Sequence, residues 1–542
     1  MTALIGFGLY LVLALARWGR QDAPSLDLAI FEQAVKGYAE LGWPMVDIKG
    51  PGANQLGDHF SPVLALLAPF YKLFPSPVTL LVAQCLLVAL SIAPIAAIAR
   101  RRLGAWPGGA LGGAYALSWG LQTGVDVQFH EYAFAVPMLA FALAAAIDRR
   151  WTAAGWWIAA TLSVKEDLSL TVVAFGGVMA AHGWWRLREA RRPRPLPPGS
   201  ASAPAPTHAE HPPAAAAPAE PEPGLPGQPV GIGPEPEPGL PGQPVGIGPE
   251  PEPGLAGPAD DPRRSADSAV PADVWRAECR AGLVLASVGL AVALVVFELI
   301  MPAFKGAGWF YWDKLDQTGG ALGVVVGILS PPVKLKTLAL VSAVVMGACW
   351  FSRWSLVAAP TLIWRFASTD PAHWGTGWHY SMILMPVVFL AAVDALGRWR
   401  ASKRRWLRAV APAVAWAAAV FALAACAWFP LGDLAKPEAY RASPRADQAA
   451  AVIAAIPPGA SVASDRGLIT RLVSEHTVYW IGDFAELVQP DYVVLDPSSG
   501  WSGDPGSAEA YAEAVYGGDY EPVAGIGQPD DQDSFRLARR VG

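Results

Sequence analysis

Charge is scarce in this chain. Only 16% of its 542 residues are Asp, Glu, Lys or Arg, whereas 53% are hydrophobic and the mean hydropathy is +0.31. Soluble domains carry about a quarter charged residues, so the composition excludes an ordinary soluble protein and directs the reading to a membrane. The basic residues form short clusters beside apolar runs and no stripe on a polar face, which excludes a nucleic-acid-binding domain. Cysteine is scarce too. Cys85, Cys279, Cys349 and Cys426 stand singly in or beside apolar runs, without a CxxC pair, so neither a disulfide framework nor a zinc site built on cysteine is supported. The run Leu4 to Trp18 lacks both a basic leader and a small-x-small cleavage site, and therefore reads as a membrane helix and not a removed signal peptide.

Apolar runs are plentiful. They occupy residues 4–18, 78–99, 105–121, 132–147, 151–164, 168–185, 278–301, 333–351, 354–367, 380–396 and 408–428. Several fall short of the roughly 20 residues of a perpendicular crossing, so flanking Trp and Tyr complete them. The expected fold is a polytopic α-helical membrane protein of about eleven spans, with an interfacial helix at 63–74. With the N-terminus inside, alternation puts Arg100 to Arg102, Arg149-Arg150, Arg186 to Arg194, Arg353 and Arg398 to Arg408 in the cytoplasm, as the positive-inside rule requires. Arg17 and Arg20 dissent.

Four regions follow. Residues 1–187 form a first membrane region with an outer loop at 19–61. Residues 188–273 form a Pro/Gly-rich cytoplasmic linker, whose 15-residue repeat Glu-Pro-Gly-Leu-Pro-Gly-Gln-Pro-Val-Gly-Ile-Gly-Pro-Glu-Pro starts at Glu222 and again at Glu237; such composition buries too little apolar surface to fold. Residues 274–429 form a second membrane region. Residues 430–542 read as a small extracytoplasmic α/β domain, with helices near 447–456 and 508–515 and strands at 461–463, 477–481 and 491–495. That tail holds neither a Gly-rich phosphate fingerprint nor a nucleophile elbow.

The same alternation places the unusual acids and histidines together on the outer side: Asp27 through His59, Asp126, His130-Glu131, Lys165-Glu166-Asp167, the loop 304–320, and His373 to His379. Ionisable groups at a membrane edge are costly and tend to mark sites. Each has a plainer reading beside it. Asp27 opens a Leu28, Phe31, Val35, Tyr38 stripe, an amphipathic helix on the membrane surface that an Asp would ordinarily cap. Asp58-His59 stands just before Phe60-Ser61-Pro62, where capping is again the alternative. Lys165-Glu166-Asp167 is the tip of a helical hairpin, or a solvated turn. Asp126 and His130, at i and i+4, suit a metal pair only if further ligands converge. His373 and His379 flank Trp374-Gly-Thr-Gly-Trp378, a pocket wall or a pair of interfacial anchors.

The motifs Asp27-Leu-Ala-Ile-Phe-Glu32-Gln33, Gly57-Asp-His-Phe-Ser-Pro62, Phe129-His130-Glu131, Lys165-Glu166-Asp167 and His379-Tyr380 with Pro386 resemble the polytopic membrane proteins grouped as domain of unknown function 2079. At greater distance the layout is similar to the GT-C glycosyltransferases. That likeness implies sugar transfer from a polyprenyl-phosphate donor onto a cell-envelope glycan or lipid at the plasma membrane. It implies Asp27 as base or metal ligand, with Asp58 and His59 assisting. Glu32, Gln33, His130, Glu131, Lys165, Glu166, Asp167, His373, His379 and Tyr380 would then bind substrate. A divalent cation on Asp27, Asp58 or His59, or a cationic side chain such as Lys165, would receive the leaving phosphate. A transporter or flippase of lipid-linked sugars is a second reading, which needs internal pseudo-symmetry and mid-membrane polar groups. A non-catalytic envelope scaffold, binding a partner through the tail, is a third.

Overall fold

A backbone in lipid has to satisfy its own hydrogen bonds, so long apolar runs become helices. The computed structural model describes residues 1–22, 25–191, 271–305, 327–328, 330–526 and 534–541. The linker repeat and most of the loop 304–320 lie outside the described residues. The chain is mostly helical with a small C-terminal sheet. Its principal helices are α1 (Thr2–Gly19), α2 (Asp27–Ala39), α3 (Pro77–Leu103), α4 (Tyr132–Ile147), α5 (Leu168–Ala190), α6 (Ala272–Val295, running on to Phe304), α7 (Leu384–Arg400) and α8 (Arg405–Ala425).

Among the described residues five helices are long and apolar enough to cross a membrane: α1, α3, α5, α6 with its extension, and α8. A sixth is counted if α7 and the bent segment before it, Pro371–Ser381, form one span; the two meet at 67°. This is fewer than the eleven expected, because several apolar runs are broken. Residues 105–121 divide into Ala105–Ala116 and Trp119–Asp126 around Leu117 and Ser118. Residues 151–164 end in a tight turn at Thr161–Ser163, and 354–367 yields a regular helix only over Ala359–Ala367.

The helices α5 and α6 pack closely. A Cβ on Gly176 would lie 2.5 Å from the Gly282 carbonyl oxygen, one on Gly183 2.8 Å from that of Trp275, and one on Gly289 2.9 Å from that of Ser169. The pairing runs antiparallel, and glycine alone lets the two backbones approach this far. Beside it the fully buried Glu278 takes His182 Nδ1 at 2.9 Å and Arg353 at 3.7 Å.

In the tail, five strands order as β2-β1-β3-β5-β4: β1 (Ser461–Ser464), β2 (Thr477–Trp480), β3 (Tyr492–Leu495), β4 (Asp519–Pro522) and β5 (Arg536–Val541). The strand β1 runs parallel to β2 and β3, and β5 lies antiparallel to β3 and β4. Helices α9 (Ala446–Ala455), α10 (Arg466–Leu472) and α11 (Ala508–Tyr516) complete it. Asp465 ends β1 and caps α10, accepting from the Gly467 amide at 3.3 Å and from Trp501 Nε1 at 3.2 Å. Burial pushes its carboxyl up to about 7 against the pull of those donors.

The tail packs onto α2. Gln33 donates to the Val478 carbonyl of edge strand β2 at 2.9 Å and accepts from the Ile48 amide at 3.1 Å. Lys36 donates to the Val473 carbonyl at 3.0 Å. Leu28 through Val35 are therefore buried in unbroken succession. The expectation of an amphipathic helix lying on the membrane surface is corrected: protein covers α2 on more than its apolar stripe.

Candidate functional site

Five separate pieces of chain meet at one place: the start of α2, His59-Phe60 after the turn Gln55–Asp58, the break between Asp126 and α4, the turn before α5, and the bend before α7. Each is a point where helix stops, which frees side chains from a helix face and turns them toward one another.

The buried acid at the centre is Glu131, fully shielded from solvent. Its Oε1 takes Lys165 Nζ at 2.7 Å, and its Oε2 lies 2.8 Å from His130 Nδ1. Glu166 holds the Phe60 amide at 3.0 Å and His59 Nδ1 at 3.0 Å. Asp167 accepts from the Tyr132 hydroxyl at 2.7 Å. The Lys165 ammonium stays above its ordinary value despite burial, because Glu131, Glu166 and Asp167 surround it. Burial, then the charges of Lys165 and Lys49, hold His59 well below the ordinary imidazole range.

Beside this network the rings of His130 and His379 stack at 3.4 Å between centroids, with the Phe31 edge against His130 at 5.2 Å. Asp27 faces them, and one ligand atom each from Asp27, His130 and His379 lie within 4.8 Å of one another. Both ring nitrogens of His379 are buried with no hydrogen-bond partner among the described residues. Among those residues, this trio is also the one group of three or more such side chains placed to share an ion.

Capping accounts for neither Asp27 nor Asp58. The helix α2 is capped at Leu26 with no side-chain bond, leaving Asp27 half-buried in its first turn. Asn54 caps the turn Gln55–Asp58, and Asp58 pairs with Lys49. His59 Nε2 is 3.9 Å from Asp58, so that acid and imidazole stay neighbours. The i, i+4 pairing of Asp126 with His130 does not form: Trp119–Asp126 ends at the acid, and Asp126 instead takes Arg17 at 2.8 Å. That contact, with Asp22 beside Arg17 and Arg20, accounts for the two arginines that dissent from the charge rule.

Other expected site residues sit at the rim or behind it. Glu32, fully buried, accepts from the Tyr71 hydroxyl at 2.8 Å, and burial raises its carboxyl to about 8. Gln33 faces the tail. His373 takes Ser368 Oγ at 2.7 Å and packs edge-on to Tyr380, whose own ring lies 4.1 Å from that of His379. Sequence reasoning missed Lys49 and Arg365. Arg365 is fully buried and ties the His373 and Gly375 carbonyls at 2.8 and 3.0 Å to Ser381 Oγ at 3.2 Å, fixing the bend that carries His379. Its signal was a single charge inside Leu-Ile-Trp-Arg-Phe.

Residues 23–528 match the family model described as "Predicted membrane protein (DUF2079)". The chain belongs to this family. All of the motifs that converge on the DUF2079 site lie inside the matched span. No curated protein matches the chain. Among solved structures it is similar to the oligosaccharyltransferase of Archaeoglobus fulgidus tethered with an acceptor peptide containing the NVT sequon, at 11% identity, over 97% of this chain and 73% of that one, with a TM-score of 0.39. It is similar also to that enzyme in complex with Zn and sulfate, at 12% identity, over 95% and 69%, with a TM-score of 0.37. Likeness at this level assigns no chemistry to this DUF2079 member.

Proposed function

We propose that this chain is a multi-pass plasma-membrane glycosyltransferase, with its N-terminus cytoplasmic and residues 430–542 extracytoplasmic. It moves a sugar from a polyprenyl-phosphate donor to a cell-envelope glycan or lipid. Residues 1–187 and 274–429 form its membrane regions, joined by the cytoplasmic linker 188–273. The observation that carries the reading is the convergence of Asp27, His59, His130, Glu131, Lys165, Glu166 and His379 from five distant pieces of chain. A flippase needs polar groups along a path, and here they gather at one place.

In this reading an acceptor hydroxyl attacks the anomeric carbon as the bond from that carbon to the phosphate oxygen breaks. Asp27 supplies the carboxylate on which activation of the hydroxyl rests. His59, neutral at physiological pH and oriented by Glu166, takes its proton. Lys49, whose ammonium burial lowers to about 8, and Lys165 supply positive charge for the departing polyprenyl phosphate. Tyr380 and His373 wall the sugar side. Gln33 ties the tail to α2, so the tail helps fix the position of Asp27.

Asp27→Asn, expressed at the wild-type level, is expected to abolish the chain's product in a cell-envelope glycan assay. Unchanged product would refute the role. Removal of residues 430–542 with product retained would leave the tail without a part in catalysis.

A further inference from the structure

We infer that Asp27, His130 and His379 form a binding site for a single divalent cation that prefers nitrogen ligands, with zinc as the expected ion. Two imidazoles and one carboxylate make a donor set that suits zinc and the later first-row ions, and suits magnesium or calcium poorly, since those take oxygen ligands. The inference concerns the same place as the proposed reaction but stands whether or not the chemistry is glycosyl transfer.

Four observations support it independently of one another. The three ligand atoms lie within 4.8 Å of each other; four-coordinate zinc with bonds of about 2.0–2.2 Å needs them about 3.4 Å apart, so binding draws them together and rotates the stacked imidazoles until both aim at the ion. The His379 ring is 3% exposed and neither nitrogen has a partner among the described residues, a costly state for two polar atoms unless an ion or equivalent group satisfies one of them. Asp27 caps no helix, and none of the described residues gives its carboxylate a hydrogen bond or ion pair. Finally, His130 Nδ1 faces the Glu131 carboxylate at 2.8 Å, and Glu131 is held in turn by Lys165 at 2.7 Å. That carboxylate places negative charge beside a bound cation.

The three ligands leave at least one position of a four-coordinate ion open, as catalytic zinc sites do. An oxygen ligand there, whether a hydroxyl or a phosphate oxygen, would be polarised by the ion. Asp27 then acts as a ligand, and His59 remains the group placed to take a proton.

The test uses full-length protein purified in detergent without chelator. Elemental analysis is expected to find about one zinc per chain in the wild type, and His379→Ala and Asp27→Asn are expected to lower it at least tenfold. His373→Ala, whose ring is bonded to Ser368, should retain the metal. After chelation, added cobalt(II) should give the visible absorption of a low-coordinate nitrogen site, and lose it in His379→Ala. Where His379→Ala does not fold, Asp27→Asn carries the test, since that side chain is half-buried and supports no cap. The inference is overturned if the wild type binds neither zinc nor cobalt stoichiometrically, if magnesium alone stabilises it against heat, or if the Asp27 and His379 variants hold metal as the wild type does.

Discussion

Replacing Lys165 by Met removes the cation that pairs with the buried Glu131 and lies in the field of Glu166 and Asp167. The Lys165 ammonium lies 2.7 Å from Glu131 Oε1 and faces Glu166 and Asp167 as well. At that distance the pair alone attracts by about 6 kcal/mol gross at an effective dielectric constant near 20. Most of that offsets the loss of hydration. The measurable quantity is the cost of stranding a charge, about 3–5 kcal/mol when one member of a buried pair is removed. The environment makes the two removals unequal. Lys165→Met leaves Glu131, Glu166 and Asp167 facing one another, and should sit at the top of that range. Glu131→Gln leaves Lys165 two other acids and should cost less, about 3 kcal/mol. The double variant strands less than Lys165→Met does, so its loss should fall short of the sum of the singles by about 3 kcal/mol. Chemical unfolding of chelator-treated, detergent-purified protein measures all four corners of the cycle. Additive losses, or a smaller loss for Lys165→Met than for Glu131→Gln, would refute the reasoning.

Two further outcomes are expected. Asp465 has its carboxyl raised to about 7 in the folded chain, so its stabilising share is complete below about pH 4 and is lost as pH rises through 7, at a slope of about 1.4 kcal/mol per unit; the melting temperature of Asp465→Asn should change less over pH 4–7 than that of the wild type, and parallel curves would refute the shift. Gly282→Val would drive a side chain into the Ala180 amide, 2.4 Å from the position of its Cβ, and should destabilise the α5–α6 pair by about 3 kcal/mol, whereas Gly177→Val, which meets nothing within 4 Å, should melt as the wild type does.

The motifs of the site were legible because ionisable residues are conspicuous in an apolar chain. Asp27, His59, His130, Lys165 and His379 each stood out, and each lies at a break between helices. What could not be read was pairing. Whether Asp58 would meet a cation or Lys49, and whether Asp126 would join His130 or Arg17, depends on chain folded from more than 100 residues away in the second case. Helix breaks inside apolar runs were likewise hidden, since nothing but Ser118 marks the interruption of 105–121. In the tail the period-2 runs of β1, β2 and β3 were visible. The strand β5, Arg-Leu-Ala-Arg-Arg-Val, was not, because its buried Leu537 and Ala538 sit among arginines. Neither β4 nor α10 was expected at all.

The glycine contact between α5 and α6 has a consequence for how this gene can vary. The two helices run antiparallel and touch backbone to backbone, so the chain leaving Ala190 and the chain entering Ala272 are held side by side by the helices themselves. The hold is made within the helices, at the glycine positions. A 15-residue unit copied or dropped between Glu222 and Pro251 changes the length of the connection and leaves the glycine positions of the α5–α6 contact in place. Loop closure grows only slowly dearer with length, by about 0.6 kcal/mol per doubling. A change in copy number is therefore a small energetic perturbation beside the loss of one α5–α6 glycine contact.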